Sequence, residues 1–175
     1  MLNGYRWLVF VHVASILALI LLHGATVTTT YALRSERRRD RVIALLDFSL
    51  LSFDSRGWLG KIFWFDLIVV AVSGVVLMIA GGWWHSWWPY LSTALFIGIV
   101  VAMSFLGRNP MQELRRAAGL PWVKPGAGKP EWQPAEPPNE TAIELALTRL
   151  RPGALAAVGA AGLALLLWLM MFRPF

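Results

Sequence analysis

Cysteine is absent from the chain, which excludes disulfides, thiolate metal ligands and Cys-bound iron–sulfur clusters. Charge is scarce: 15% of the 175 residues are Asp, Glu, Lys or Arg, against about 25% in ordinary soluble domains. Histidine occurs three times. There is no phosphate-binding Gly-Lys-Ser/Thr loop, no His-Glu-x-x-His zinc signature and no nucleophile elbow. A binding or structural role is therefore expected rather than an enzyme. In their place are hydrophobic residues, 57% of the chain, more than a water-soluble surface accommodates. The length suits one domain.

The apolar residues fall into four long runs. A hydrocarbon core of roughly 30 Å needs about 20 of them in a helix. The first run begins at Trp7 and meets no charge until Arg34, giving a span over about 7–30. The second covers 62–81 and is interrupted only by Asp66; the third covers 88–106 and the fourth 152–171. The runs are continuous rather than alternating, and lipid offers no partner for an open backbone, so helices are expected. The fold class is all-α: a polytopic four-transmembrane-helix bundle with short cytoplasmic interfacial helices.

Basic residues set the orientation. Arg34, Arg37, Arg38, Arg39, Arg41, Arg56 and Lys61 lie in the first connection. Arg108, Arg115, Arg116, Lys124, Lys129, Arg149 and Arg151 lie in the third. The second connection holds none, and the termini hold Arg6 and Arg173. The positive-inside rule then puts connections one and three in the cytoplasm and both termini outside a bacterial inner membrane. The charge, a net +6, sits where anionic lipid headgroups meet it, so the bilayer is the expected partner and nucleic acid is not. The weakly charged start, with no small-residue cleavage site after it, leads us to expect the first span to be retained.

Within the connections, Val42 to Phe53 is apolar but too short to cross, and predicts an interfacial helix or an extension of a span, followed by a turn at Asp54 to Gly57. The connection 107–151 opens with Asn109-Pro110-Met111-Gln112, a helix start by its capping pattern. Residues 119–138 are Pro-rich and predict a loose loop, with Gly126 to Gly128 inside it. A second helix is expected from Asn139 or Thr141, with Ile143, Leu147 and Leu150 as its apolar stripe. Between spans two and three, Trp83, Trp84, Trp87, Trp88 and Tyr90 suit a headgroup layer. In span four, Gly153, Ala157 and Ala161 share one face and Ala156, Ala160 and Ala164 the next. Small residues permit close helix approach, either in this chain or against another membrane subunit or a second copy.

Polar residues at membrane depth carry the functional argument. At 100° per residue, His12, Ser15, His23, Thr26 and Thr30 form one stripe on span one. Ser73 lies on the face of Asp66, and His23 and Asp66 are plausible partners in an intramembrane network or proton path. His12, by contrast, belongs to the outer third, where His85 and Met78 are candidates to join it in ligating haem iron or copper. Arg6 or Arg173 would then neutralise haem propionates.

Three stretches carry a resemblance: Trp7-Leu-Val-Phe-Val-His12-Val; Ser92 to Arg108, ending Ala-Met-Ser-Phe-Leu-Gly-Arg; and Leu167-Trp-Leu-Met-Met-Phe-Arg-Pro-Phe175. They resemble a bacterial integral-membrane family of unknown function, distantly related to the copper-resistance D-like superfamily. The resemblance implies a small helical bundle. In haem-binding relatives an early His in span one ligates b-type haem, which maps here onto His12. Two functions follow as expectations: a small bundle binding haem b or copper through His12, or a structural accessory subunit of a larger membrane complex. A transporter using His23 and Asp66 is a third.

Overall fold

The computed structural model describes residues 2–53, 58–124 and 131–173. The expected turn at Asp54 to Gly57, together with Arg56, the Gly126–Gly128 stretch, Lys129 and the closing Pro174-Phe175, lies outside them. The fold is all-α apart from one two-residue ladder. Helices α1 (Leu2–Ser35), α3 (Trp58–Ala80), α4 (Trp88–Met103) and α7 (Pro152–Phe172) carry the four apolar runs, and four helices are long and apolar enough to cross a membrane. Shorter helices α2 (Arg39–Phe53), α5 (Asn109–Ala117) and α6 (Glu140–Arg149) gather at one end as a cap. Large apolar side chains stand exposed along the spans, Phe10, Leu17, Leu21, Phe65 and Ile79 among them. Such a surface is stable only against hydrocarbon.

The spans form a row rather than a closed square. α1 packs on α3 and on α7, and α7 packs on α4. α3 and α4, consecutive in sequence, do not pack along their lengths. Glycines allow the close approaches. Gly162 of α7 faces Ile99 of α4 so tightly that a Cβ there would lie 2.5 Å from Ile99 Cδ1. Gly159 faces the imidazole of His23, and Gly74 of α3 leaves room for that of His12. The alanine stripes read from the sequence are not this contact. α7 buries Leu155, Gly159, Gly162, Leu166 and Leu169, while Ala157, Ala160, Ala161 and Ala164 are not buried. The burial follows a mixed three-and-four spacing; a strict four-residue stripe drifts off that face.

The densest packing lies in the cap. Leu33, Val42, Leu46, Met111, Leu114, Ile143, Leu147 and Leu150 make one core. α1, at 34 residues, is about 51 Å long at 1.5 Å per residue, so it passes beyond any bilayer core and delivers Leu33 to this cluster. Where water rather than lipid surrounds a helix, its apolar side must find protein. Arginines close the exposed helix ends, where carbonyls lack intrahelical partners. Arg34 donates to Leu150 O at 2.5 Å, and Arg39 donates to Ala118 O at 3.3 Å. In the α1–α2 turn, Glu36 accepts from the backbone N–H groups of Arg37 and Arg38, both at 2.9 Å. Those N–H groups, Arg38 first, and the nearby Arg41 hold its carboxyl below the usual range.

Two expectations for the connection after α4 need correction. Asn109 does not cap a new helix. Its backbone is helical, and the chain continues from α4 through one wide π-helical turn, Ser104–Arg108, into α5. Pro110 has no N–H to give to the preceding turn, and a π turn absorbs that loss with one extra residue. The Pro-rich stretch is not wholly loose either. Trp122–Val123 (β1) pairs antiparallel with Trp132–Gln133 (β2), Gly119 turns at φ +80°, and Arg116 bonds Glu136 at 2.9 Å. Asn139 caps α6 by accepting from Ala142 N at 3.0 Å, as its position suggested, and Ile143, Leu147 and Leu150 are buried.

The cap core and the lipid-facing surface should respond differently to truncation. Leu114→Ala, at a fully buried position, should lower stability by about 2–5 kcal/mol. Leu21→Ala, on a side chain 75% exposed, should shift it by less than about 0.5 kcal/mol. Thermal unfolding of both variants in one detergent checks the pair.

Candidate functional site

The polar residues of α1 divide between two neighbours. His12 is buried against α3, with its Nδ1 2.8 Å from Ser73 Oγ. The Ser73 hydroxyl is spent on its own helix, donating to Val69 O at 2.5 Å. The imidazole therefore carries its hydrogen on Nδ1 and donates it to Ser73. One turn along, Ser15 lies beside the buried Asp66 carboxyl, whose Oδ2 has no partner among the described residues. Thr26 and Thr30, read as part of the same network, instead donate to carbonyls four residues back, Leu22 O at 2.9 Å and Thr26 O at 2.7 Å. Local back-bonding is how a hydroxyl is satisfied where no water reaches it.

His23 and Asp66 are not partners. Asp66 lies beside Ser15, eight residues before His23, which is about 12 Å along the axis and about 80° around it. That rotation takes His23 off the α3 seam. Its ring sits over Gly159 of α7, where any Cβ would overlap it, and its Nδ1 is buried without a partner among the described residues. The single stripe on α1 was too coarse a grouping: 80° separates an α3-facing group from one facing α7.

The residues proposed for haem or copper are distributed over α1, α3, the Trp83–His85 turn and the end of α7. His12 keeps a lone pair on Nε2, as a ligand would, but its ring edge lies against Gly74. His85 is exposed in the Trp83–His85 turn, its ring 5.7 Å from that of Trp84. Met78 is half-buried on α3, a turn beyond Gly74. Arg6 is exposed on the first turns of α1. Arg173 lies over the rings of Trp83, at 4.3 Å, and Trp88, at 5.9 Å. It is a cation–π clasp between the end of α7 and the aromatic turn. Among the described residues no group of three His, Asp or Glu gathers as a metal site.

What the row of helices creates is a cleft of about 530 Å³ between α3 and α4, within the usual range for small-ligand sites. α1 and α7 form its floor through Leu19, His23, Thr26, Leu155, Gly159, Leu163 and Leu166. Phe63, Trp64 and Leu67 of α3 face Phe96, Ile99, Val100 and Met103 of α4. The π turn and the cap close one end with Ser104, Gly107, Arg108, Met111, Gln112, Arg115 and Val123, joined by Ser49 of α2. Arg115 is buried there, donating to Pro121 O at 2.9 Å and approaching Asp47 at 3.5 Å. His23, which lines this cleft, has a buried Nδ1 with no partner among the described residues. Arg108 and Arg115 were legible only as part of a basic connection, and Gln112 only as part of a helix start. The available signal was their spacing around Pro110, which the π turn re-aims by about one residue, or roughly 100°.

No protein-family model, curated protein or solved structure matches the chain.

The close approach of His23 to Gly159 gives a direct check. Gly159→Ala should lose about 1–3 kcal/mol through overpacking. In His23→Ala, which vacates that space, the same substitution should cost much less. A double-mutant cycle by thermal unfolding should show coupling above about 1 kcal/mol.

Proposed function

We propose that this protein is a membrane-embedded binding module that holds a long-chain amphiphile in the cleft between α3 and α4. We place it in a bacterial cytoplasmic membrane, with the α2–α5–α6 cap in the cytoplasm and both termini outside. The observation that carries the reading is the cleft itself. Consecutive spans stand apart, the walls between them are apolar and aromatic, and the floor includes His23, whose Nδ1 is buried without a partner among the described residues. An unsatisfied buried polar atom costs about 1–3 kcal/mol, which a ligand accepting from or donating to His23 would recover. A cleft that opens sideways between spans receives its ligand from the bilayer. The orientation rests on the fourteen Lys and Arg of connections one and three against two at the termini. The resemblance to relatives of the copper-resistance D-like superfamily agrees with a small helical binding bundle but moves no residue of the cleft into a ligand set.

An accessory subunit is the second reading. It draws on the exposed small residues of α7, Ala160 and Ala161 among them, which leave a smooth face on which another transmembrane helix can pack. Co-purification of a stoichiometric membrane partner in mild detergent, lost in Ala161→Leu, is its expected signature.

Lipid extraction and native mass spectrometry of the purified protein test the first reading. A bound long-chain amphiphile near one per chain is expected. Val100→Trp, which fills the cleft, should reduce occupancy about tenfold or more with thermal stability kept. His23→Ala should weaken binding about three- to tenfold, the worth of one hydrogen bond. Equal occupancy in wild type and Val100→Trp contradicts the reading.

A further inference from the structure

Resting on that cleft, we infer that its occupant is an anionic glycerophospholipid of the adjoining leaflet. Its phosphate would lie at Arg108 and Gln112, its ester region at His23, and one acyl chain between α3 and α4. Three observations lead there.

The first is charge. Among the described residues lining the cleft, 22 in number, two are Arg and none is Asp or Glu, so these residues make the cap end of an otherwise apolar space positive. Arg108 is exposed at its rim and makes no ion pair among the described residues. Five other arginines, Arg38, Arg39, Arg41, Arg116 and Arg149, each meet an exterior carboxylate. Arg115, buried at the base, is turned to Asp47 at 3.5 Å and to Pro121 O, which leaves Arg108 as the cation offered at the rim.

The second is donor geometry. Gln112 follows Arg108 by four residues and shares its side of the helix. Its Oε1 accepts from Val123 N at 2.8 Å, which fixes the amide orientation and leaves the NH₂ group as the donor. Guanidinium plus amide N–H is a phosphate-binding pair. The β1–β2 ladder thereby contributes to the cleft, because it holds Val123 where its N–H orients Gln112.

The third is depth. Gly159, which touches His23, lies one turn further along α7 than Leu155, which touches Gly107. The imidazole is thus about a helical turn further into the membrane than the π turn that carries Arg108. Phosphate, then ester, then chain is the order of groups along a glycerophospholipid, and cation, then imidazole, then aromatic and aliphatic wall is the order along the cleft. A neutral quinone would use the imidazole and the wall but has nothing for Arg108 and Gln112.

The test is competitive loading of the full-length purified protein from phosphatidylcholine vesicles doped equally with phosphatidylglycerol and diacylglycerol, read by native mass spectrometry. Wild type should retain phosphatidylglycerol about tenfold over diacylglycerol, and above phosphatidylcholine. Arg108→Gln should bring that ratio near one while total lipid occupancy persists; Arg108→Lys should keep part of it. Val100→Trp should lower all three lipids together. Millimolar inorganic phosphate should displace none of them. A wild-type ratio near one, an unchanged ratio in Arg108→Gln, or displacement by free phosphate overturns the headgroup assignment and leaves the cleft reading standing. Undiminished occupancy of every lipid in Val100→Trp overturns the cleft reading itself.

Discussion

Hydrocarbon offers no hydrogen bond, and every polar atom of the spanning helices is arranged around that lack. Thr26, Thr28, Thr29 and Thr30 return their hydroxyls to carbonyls four residues back. Ser73 does the same and still accepts from His12. Ser15 meets Asp66 one turn away. The His12–Ser73 bond stitches α1 to α3 in a setting where apolar contact alone gives little preference for protein over lipid. Two polar atoms within the spans, Asp66 Oδ2 and His23 Nδ1, are left over among the described residues, and they are the places where the bundle is unfinished. The second of them belongs to a residue that lines the cleft.

The two ends of the molecule obey different solvents. Along the spans, packing is thin and depends on glycine, with Gly159 and Gly162 each accommodating one side chain from a neighbour. In the cap, where water returns, apolar side chains from four helices close a conventional core and arginines finish the helix ends. The cap also determines the cleft. It spreads α2 and α5 across the end of the row, and the π turn at Ser104–Arg108 lets α4 run on into α5 despite Pro110. A single continuous helix from 88 to 117 thus carries both the apolar wall and the cations at its end.

Much of this was legible in the sequence, because four runs of hydrocarbon length and one-sided arginines are one-dimensional signals. So were the apolar stripe of α6 and its Asn139 cap. What was not legible depended on angle and on neighbour order. His12, Ser15 and His23 look alike on a helical wheel, yet about 80° and about 12 Å decide that Ser15 meets Asp66 and His23 meets Gly159. The small residues of α7 were visible, but a four-residue period selected the alanines instead of Gly159 and Gly162. Arg173 looked like an anion ligand and is seated on Trp83, since a contact between chain end and loop has no sequence spacing. The cleft had no linear signature at all: it exists because α3 and α4, adjacent in sequence, are not adjacent in packing.

That separation is the central claim, and the absence of native cysteine makes it directly measurable. Disulfide cross-linking in native membranes compares two engineered pairs, Ser15→Cys with Asp66→Cys across the α1–α3 seam, and Leu67→Cys with Val100→Cys across the cleft. Disulfides form only where Cα atoms lie within about 7 Å. Rapid oxidation of the first pair and none of the second is the expected result. Equal cross-linking of the two would mean that α3 and α4 pack together, and would contradict the account.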